Sequence, residues 1–307
     1  MRITLRQLEI FAAIARTENV SRAAQILSMS QSAASSALVE LERQFDCPLF
    51  DRIGKSLRLN STGRGLLPQA DEMLARATDI EGYLAGGVLG PLTVGATLTI
   101  GNYLAVLVTA EYLRRHPASS LQLHVANTET IVEQLSRYEI DIGLIEGEAN
   151  HPDLLLEPWL NDELVVFCAP QHALAGMAAF DPAVLAEQKW IVRERGSGTR
   201  ALFERVIVEA LPSLHIQLEL EHTEAIKRAV ESGLGIGCLS RLALREALKR
   251  GSLVEIPTPQ FNLQRRFYFA RHRQRHVSPA AQSFLALCRE ASGSAEGTDA
   301  LHLPFFS

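Results

Sequence analysis

No apolar run in this sequence is long enough to span a bilayer, and no signal-peptide pattern precedes the first amphipathic segment, which begins Met1-Arg2-Ile3-Thr4-Leu5-Arg6. The expectation is a soluble, cytoplasmic chain with no membrane partner. Cysteine is scarce: Cys47, Cys168, Cys238 and Cys288 are scattered, with no CxxC pair. That spacing argues against a disulfide framework and fits four small apolar residues in a reducing compartment. A redox-sensing pair would need two of them within bonding reach in the fold. The nine histidines lack metal-ligand spacing, so neither metal nor cofactor is expected. No GxSxG or HExxH motif is present, which argues against an enzyme. The glycine-rich run Gly233-Leu234-Gly235-Ile236-Gly237 leaves a predicted helix and enters a predicted strand. A dinucleotide fingerprint needs the reverse order, so this run reads as a helix-ending turn.

What is present is ordinary globular material. The chain has 307 residues, 47% hydrophobic and 21% charged, enough for two or three domains with a sizeable core. Its formal net charge is −5. A nucleic-acid contact on such a chain has to come from a local basic patch on an acidic body.

The stretch from Asn19 to Gly65 organises the rest. Ser21 stands where an N-cap should, just before Arg22-Ala23-Ala24-Gln25-Ile26-Leu27. Ser28-Met29-Ser30 breaks that helix, and Ser30 can cap a second. The second helix opens with Gln31, Ser32, Ser35 and Ser36 and carries Ala34, Leu38, Leu41 and Phe45 behind them. Two short helices joined by a tight turn, the second starting with small polar donors, describe a helix-turn-helix whose second helix can enter a major groove. A preceding helix from about Thr4 to Arg16 closes its core through Leu5, Leu8, Phe11, Ala12 and Ala15. Beyond it, Phe50-Asp51-Arg52, a turn at Gly54-Lys55 and the alternating run Ser56 to Asn60 predict a two-stranded wing. Arg52, Lys55 and Arg58 on that wing can grip phosphates.

The run SRAAQILSMSQSAASSALVELERQFDCPLFDR, followed by SLRLNSTGRGLL, resembles the N-terminal domain of a LysR-type transcriptional regulator. The resemblance implies an all-α winged helix-turn-helix over residues 1–61, followed by a two-lobed α/β effector domain similar to periplasmic solute-binding proteins. It implies a DNA-contacting set of Ser21, Arg22, Ser30, Gln31, Ser32, Ser35, Ser36, Arg52 and Lys55. Gln31, Ser32, Ser35 and Ser36 would read bases, with Arg22, Arg52 and Lys55 on phosphates. Family recognition helices often carry a longer polar residue where this chain has Ser36, which shifts weight to shape readout. The implied partners are double-stranded promoter DNA, further copies of the chain as a homodimer or homotetramer, and RNA polymerase.

Residues 62–88 read as a linker helix. Leu66, Ala70, Met73, Ala77, Ile80 and Leu84 are spaced as an a/d seam that needs a second helix, and dimerisation through it is the expectation. Pro68 should loosen or kink its first turns. Gly86-Gly87 and Gly90-Pro91 mark a hinge. Residues 89–292 then alternate strands with helices, which predicts a mostly parallel sheet covered on both faces. Lobe I takes about 89–160 and 266–292, lobe II about 161–265, with a crossing through Leu154 to Cys168 and a flexible tail at 293–307.

Ligands in such sheets sit beyond the carboxyl ends of strands, against helix N-termini. Three stretches qualify. Thr97, Thr99 and Ile100 open the first effector-domain helix; Arg193 to Arg200, including Arg195, Gly196, Ser197 and Thr199, open a helix in lobe II; Glu146 ends a strand between them. The density of hydroxyl, N–H and guanidinium donors suits a small anion. Glu146 would orient Arg195 or another donor, or bind a cationic part of the ligand. TLTIGNY and RERGSGTR most resemble regulators that sense small sulfur oxyanions, which implies such an inducer. The cluster Arg271 to His276 reads as a solvated loop. Two other readings share these features: a transport solute-binding protein, and an enzyme carrying a DNA-binding head.

Overall fold

The computed structural model describes residues 2–53, 56–84, 87–147, 149–177 and 181–301. The amino-terminal head is built from α1 (Leu5–Thr17), α2 (Val20–Ile26) and α3 (Gln31–Phe45), with β1 (Phe50–Ile53) and β2 (Ser56–Leu59) paired antiparallel as the wing. Thr4 and Gln7 form a reciprocal capping box at the start of α1. Asn19, not Ser21, caps α2: its side chain accepts the Arg22 N–H at 3.0 Å, so the helix begins two residues earlier than expected. Ser30 caps α3 as anticipated, accepting from the Ala33 N–H at 3.2 Å. Phe11, Ile14, Ala23, Ala34, Leu41 and Phe50 close the core. Phe45, the last residue of α3, is 52% exposed, so the apolar stripe ends at Leu41.

The linker helix α4 (Ser61–Leu84) continues through Pro68 without a break. Its expected seam divides. Ala70 is buried, and Leu66 packs partly, together with Leu67 and Leu74, against the head of the same chain. Met73, Ile80 and Leu84 remain exposed at 46%, 61% and 77%. The first half of the helix is therefore used as an internal buttress, and only the second half presents an unpartnered stripe.

The effector region follows. Lobe I holds β3 (Leu92–Thr97) and a helical run made of α5 (Leu98–Ile100), a π turn (Gly101–Ala105) and α6 (Val106–Arg115). It continues with β4 (Leu121–Ala126), α7 (Thr128–Ser136) and β5 (Ile142–Glu146). The long strand β6 (Leu154–Cys168) crosses to lobe II. That lobe holds β7 (Lys189–Arg193), α8 (Gly198–Phe203), β8 (His215–Leu220), α9 (Thr223–Glu231), β9 (Ile236–Ser240), α10 (Arg241–Arg250) and β10 (Val254–Ile256). β11 (Gln264–His272) returns, and α11 (Pro279–Ser292) packs on lobe I through Phe284 and Leu287.

One continuous sheet runs β4-β3-β5-β11-β6-β9-β7-β8, with β10 added on β6. Pairing is parallel inside each lobe and antiparallel wherever β6 or β11 takes part. The sheet is thus mixed rather than mostly parallel, because its two central strands cross between lobes in opposite directions.

The tail departs from expectation. Asn161 bridges Gly297, the buried Thr298 donates to Asp162 at 2.9 Å, and Leu301 is buried. Arg245 donates to the carbonyls of Thr298 and Leu301. Residues 293–301 are held because they satisfy a buried carboxylate, a partner that local composition does not reveal. Residues 302–307 lie outside the described residues.

Candidate functional site: a DNA-reading face and an interlobe cleft

The DNA face follows from α3. Ala34, Leu38 and Leu41 turn inward, which leaves Gln31, Ser32 and Ser36 exposed and Ser35 half-buried on the outer side. Ser30 and Ser32 lie 3.1 Å apart through their hydroxyls at the helix start. Ser21 and Arg22 are exposed on α2 beside them. Lys55 and the side chain of Arg52 lie outside what is described. Arg58, on β2, pairs with Glu18 at 2.5 Å.

The cleft is assembled from the β3–α5 turn together with β5, β6, α8, β9 and β11. β3 ends at Thr97 and hands over to α5, so the free N–H groups of that helical run point into the cleft. Glu146, the last residue of β5, reaches them: its Oε1 accepts the Thr99 N–H at 2.6 Å. Its Oε2 lies 2.8 Å from Arg265 Nη1 and accepts the Thr199 hydroxyl at 3.3 Å. Arg265 comes from the start of β11, donates from Nη1 to Thr199 Oγ1 at 3.0 Å and from Nε to Asp162 Oδ2 at 2.7 Å. Asp162 on β6 also accepts from Ser240 Oγ at 2.8 Å. Glu146, Arg265 and Asp162 are all buried, so this is a charged triad sealed between the lobes.

Burial pushes the Glu146 carboxyl upward. The Arg265 and Arg193 guanidiniums and the hydroxyls of Thr97 and Thr99 push it down and win, so its pKa is lowered. The site therefore holds a fixed negative charge among donors. One donor is left over: Arg265 Nη2 is buried without a hydrogen-bond partner among the described residues.

The expected ligand residues divide in this frame. Thr97, Thr99, Glu146, Ser197 and Thr199 are buried at the meeting of the lobes. Gly196 adopts φ +83°, a left-handed conformation that favours glycine, and a Cβ there would also push the Glu129 carboxylate aside from 2.5 Å. Arg195 is exposed and lines an outer recess of about 510 Å³ with Thr128, Glu129 and Gly196. The guanidinium that meets Glu146 belongs to Arg265 instead. Ile100 does not serve the cleft with its side chain, which is fully buried in the core of lobe I with Val94, Leu104 and Phe267.

Arg265 and Asp162 were legible in principle. Arg265 alternates with Phe267 and Phe269, and Asp162 with Leu160 and Leu164, so period two puts a charge on the buried face of each crossing strand. A buried charge of each sign on neighbouring strands implies a pair.

Comparison with known proteins agrees with both halves. Residues 5–64 match the model of the bacterial regulatory helix-turn-helix protein, lysR family, and residues 85–293 match the LysR substrate binding domain. An uncharacterized HTH-type transcriptional regulator of Escherichia coli K12, YeiE, is 42% identical over 293 residues, covering 95% of this chain and 99% of that protein. Full-length OxyR from Pseudomonas aeruginosa superposes with TM-score 0.71 at 24% identity, covering 94% of each chain, which concerns the fold alone. The regulatory domain of Synechocystis CcmR in complex with 2-PG superposes with TM-score 0.60 at 29% identity, covering 67% of this chain and 98% of that domain.

Proposed function

Because this chain belongs to the LysR family and is a DNA-binding transcriptional regulator with an effector-binding domain, not an enzyme, we propose that its effector is a small oxyanion, a sulfur oxyanion in the first instance. The observation that carries this reading is the pairing of Glu146 with an incompletely used guanidinium. A carboxylate offers two oxygens, and both are taken: one by the Thr99 N–H, one by Arg265 Nη1 and the Thr199 hydroxyl. Arg265 Nη2 has no hydrogen-bond partner among the described residues. An oxyanion with three or more oxygens uses the same donors and Nη2 as well. Such an effector competes with Glu146 for the seat, and the carboxylate has to swing out. The cost of displacing an internal ion pair is what makes the site selective for a compact, strongly charged anion over a weakly charged one.

The head reads promoter DNA through Gln31, Ser32, Ser35 and Ser36. Arg22, Arg52 and Lys55 hold phosphates, with Ser21 and Ser30 at the same surface. Met73, Ile80 and Leu84 supply the helix seam through which two chains pair, and two paired heads suit a two-fold operator. Further contacts between effector domains would give a tetramer. Effector binding acts by preferring one lobe arrangement over another, since only differential affinity shifts a conformational equilibrium.

Calorimetric titration of the full-length protein with sulfite, sulfate, thiosulfate and 2-PG tests the ligand class. Binding of a sulfur oxyanion, weakened in Thr199→Val, is the expected result. Heat with 2-PG alone reassigns the anion, and no heat with any of the four removes the oxyanion reading.

A further inference from the structure

The helix α7 touches both halves of the molecule. Its first turn holds the lobe II loop that opens α8: the Glu129 N–H donates to the Gly196 carbonyl at 3.1 Å, and the Gly198 N–H donates to Thr128 Oγ1 at 3.1 Å. That loop carries Ser197 and Thr199 into the cleft. About 13 Å further on, the length of a nine-residue helix, the other end of α7 meets the DNA-binding head.

The far end is built around Tyr138. The Glu139 N–H returns to the Gln134 carbonyl at 2.9 Å and the Tyr138 N–H to the Leu135 carbonyl at 3.1 Å, a Schellman ending. Such an ending wants glycine at its left-handed position, and here tyrosine occupies it with φ +60°. A side chain in that conformation costs about 1–2 kcal/mol. The surroundings offset this. Tyr138 is 6% exposed within the hydrophobic cluster of the head, alongside Ile14, Leu67 and Ala70. Its ring lies 4.2 Å from the His272 ring, centroid to centroid, and Arg275 sits 5.9 Å above it. Arg275 also donates to the Tyr138 carbonyl at 2.8 Å and pairs with Asp141, while His276 Nε2 meets Asp79 of α4 at 3.2 Å.

Two polar groups at this seat are unused. The Tyr138 hydroxyl and Asp71 Oδ2 are each buried without a hydrogen-bond partner among the described residues, although Asp71 pairs with Arg16 through its other oxygen. A buried unsatisfied group costs about 1–3 kcal/mol. A strained residue with two orphaned polar atoms beside it describes a seat that can gain by moving.

We propose that α7 is a strut that carries the lobe II loop's position directly to the head of the same chain, with Tyr138 as the positioning residue at its far end. This rests on the effector reading above, since it names how occupancy of that cleft is passed on. A shift of the Gly196–Gly198 loop drags the start of α7, and a rigid helix moves its end by a similar amount. The head then reseats on Tyr138. By linkage, a change made at the head must be felt equally at the cleft.

The test is amide hydrogen exchange on the full-length protein, with substitutions at one end and readout at the other. Thr128→Val removes the acceptor for the Gly198 N–H and keeps the side-chain size. Several-fold faster exchange at Tyr138, Glu139 and the last turn of α1 is expected. Tyr138→Gly relieves the strained backbone and deletes the ring, and several-fold faster exchange at residues 196–199 is expected, with α10 unchanged as the internal reference. If Tyr138→Gly loosens the whole chain, His276→Ala is the milder substitution at the same seat. Exchange changes confined in every variant to the end that carries the substitution overturn the strut. No ligand is used, so failure of the oxyanion reading appears separately, as absence of heat with sulfite, sulfate, thiosulfate and 2-PG alike in the wild-type protein.

Discussion

Tyr103 donates its hydroxyl to Glu224 at 2.6 Å, and this hydrogen bond joins lobe I to lobe II. Tyr103 sits in the π turn of lobe I, Glu224 in the first turn of α9. Lys227 holds the same carboxylate at 2.7 Å and lies 5.9 Å from the tyrosine ring. Burial and the Glu224 charge push the Tyr103 pKa upward, so the phenol remains a donor throughout the neutral range. It adds to the ties between the lobes that Thr128–Gly198, Glu129–Gly196 and Glu146–Thr199 already make.

Tyr103→Phe should therefore loosen the lobes locally, at the start of α9. A charge-assisted hydrogen bond contributes about 1.5–3 kcal/mol, less at this partly exposed position. Several-fold faster amide exchange in the first turn of α9, with unchanged exchange in α3, is the expected result. Equal exchange in variant and wild type would show that the tie holds nothing.

The triad predicts an acid-sensitive effector domain. The folded-state pKa of Glu146 is lowered from its ordinary 4.5, so the carboxylate adds stability above about pH 4.5. That stability is lost as pH falls further, through the folded-state value. Glu146→Gln should lose this part of the acid slope and be less stable at pH 7. Arg265→Met leaves two buried carboxylates without their cation and should cost about 3–5 kcal/mol. Urea unfolding of the full-length protein followed by Trp159 and Trp190 fluorescence at pH 7 and pH 4 reads both effects. An unchanged acid slope in Glu146→Gln would remove the assignment.

On the DNA face, Gln31→Ala and Arg22→Ala should fail differently. Loss of a base-reading amide lowers discrimination by about 1–3 kcal/mol at one operator position. Loss of a phosphate contact weakens specific and random duplex alike and reduces the salt slope by about one. Fluorescence anisotropy at several salt concentrations separates them, and identical behaviour of the two variants would contradict the division of roles.

The exposed half of α4 predicts an assembly defect. Ile80→Asp with Leu84→Asp should lower the sedimenting mass of the full-length protein, because an apolar seam does not close over two carboxylates. An unchanged mass would place the main contact between chains elsewhere.

Thiol reactivity should be uneven. Burial pushes the Cys168 thiol up to about 11 and the Cys238 thiol up to about 12, and raises Cys288 as well, whereas Cys47 is partly exposed. Iodoacetamide at pH 8 should label Cys47 first in the native protein, and rapid labelling of Cys238 would contradict its burial.

Local pattern made the head readable. The serine cap at Ser30, the polar start of α3 and the Leu38–Leu41 stripe are relations between residues a few positions apart, and short-range sterics and hydrogen bonding decide them. The threonine turn at Thr97–Thr99 and the glycine loop before Thr199 were visible for the same reason, since helix starts carry their own signal. Even there, Asn19 took the cap expected of Ser21, because two good caps close together compete.

By itself the sequence determined the elements, their order and the kinds of donor that face the cleft, because backbone propensity and period are local. Only the tertiary structure decided which charges meet. Glu146 and Arg265 lie far apart along the chain, and nothing local chooses Arg265 over Arg195 as the partner. The run Arg271 to His276 reads as solvated, yet Arg275 and His276 clasp Tyr138, Asp141 and Asp79 beside the head. Burial turns a charged loop into an interface, and burial is a property of what the rest of the chain brings against it.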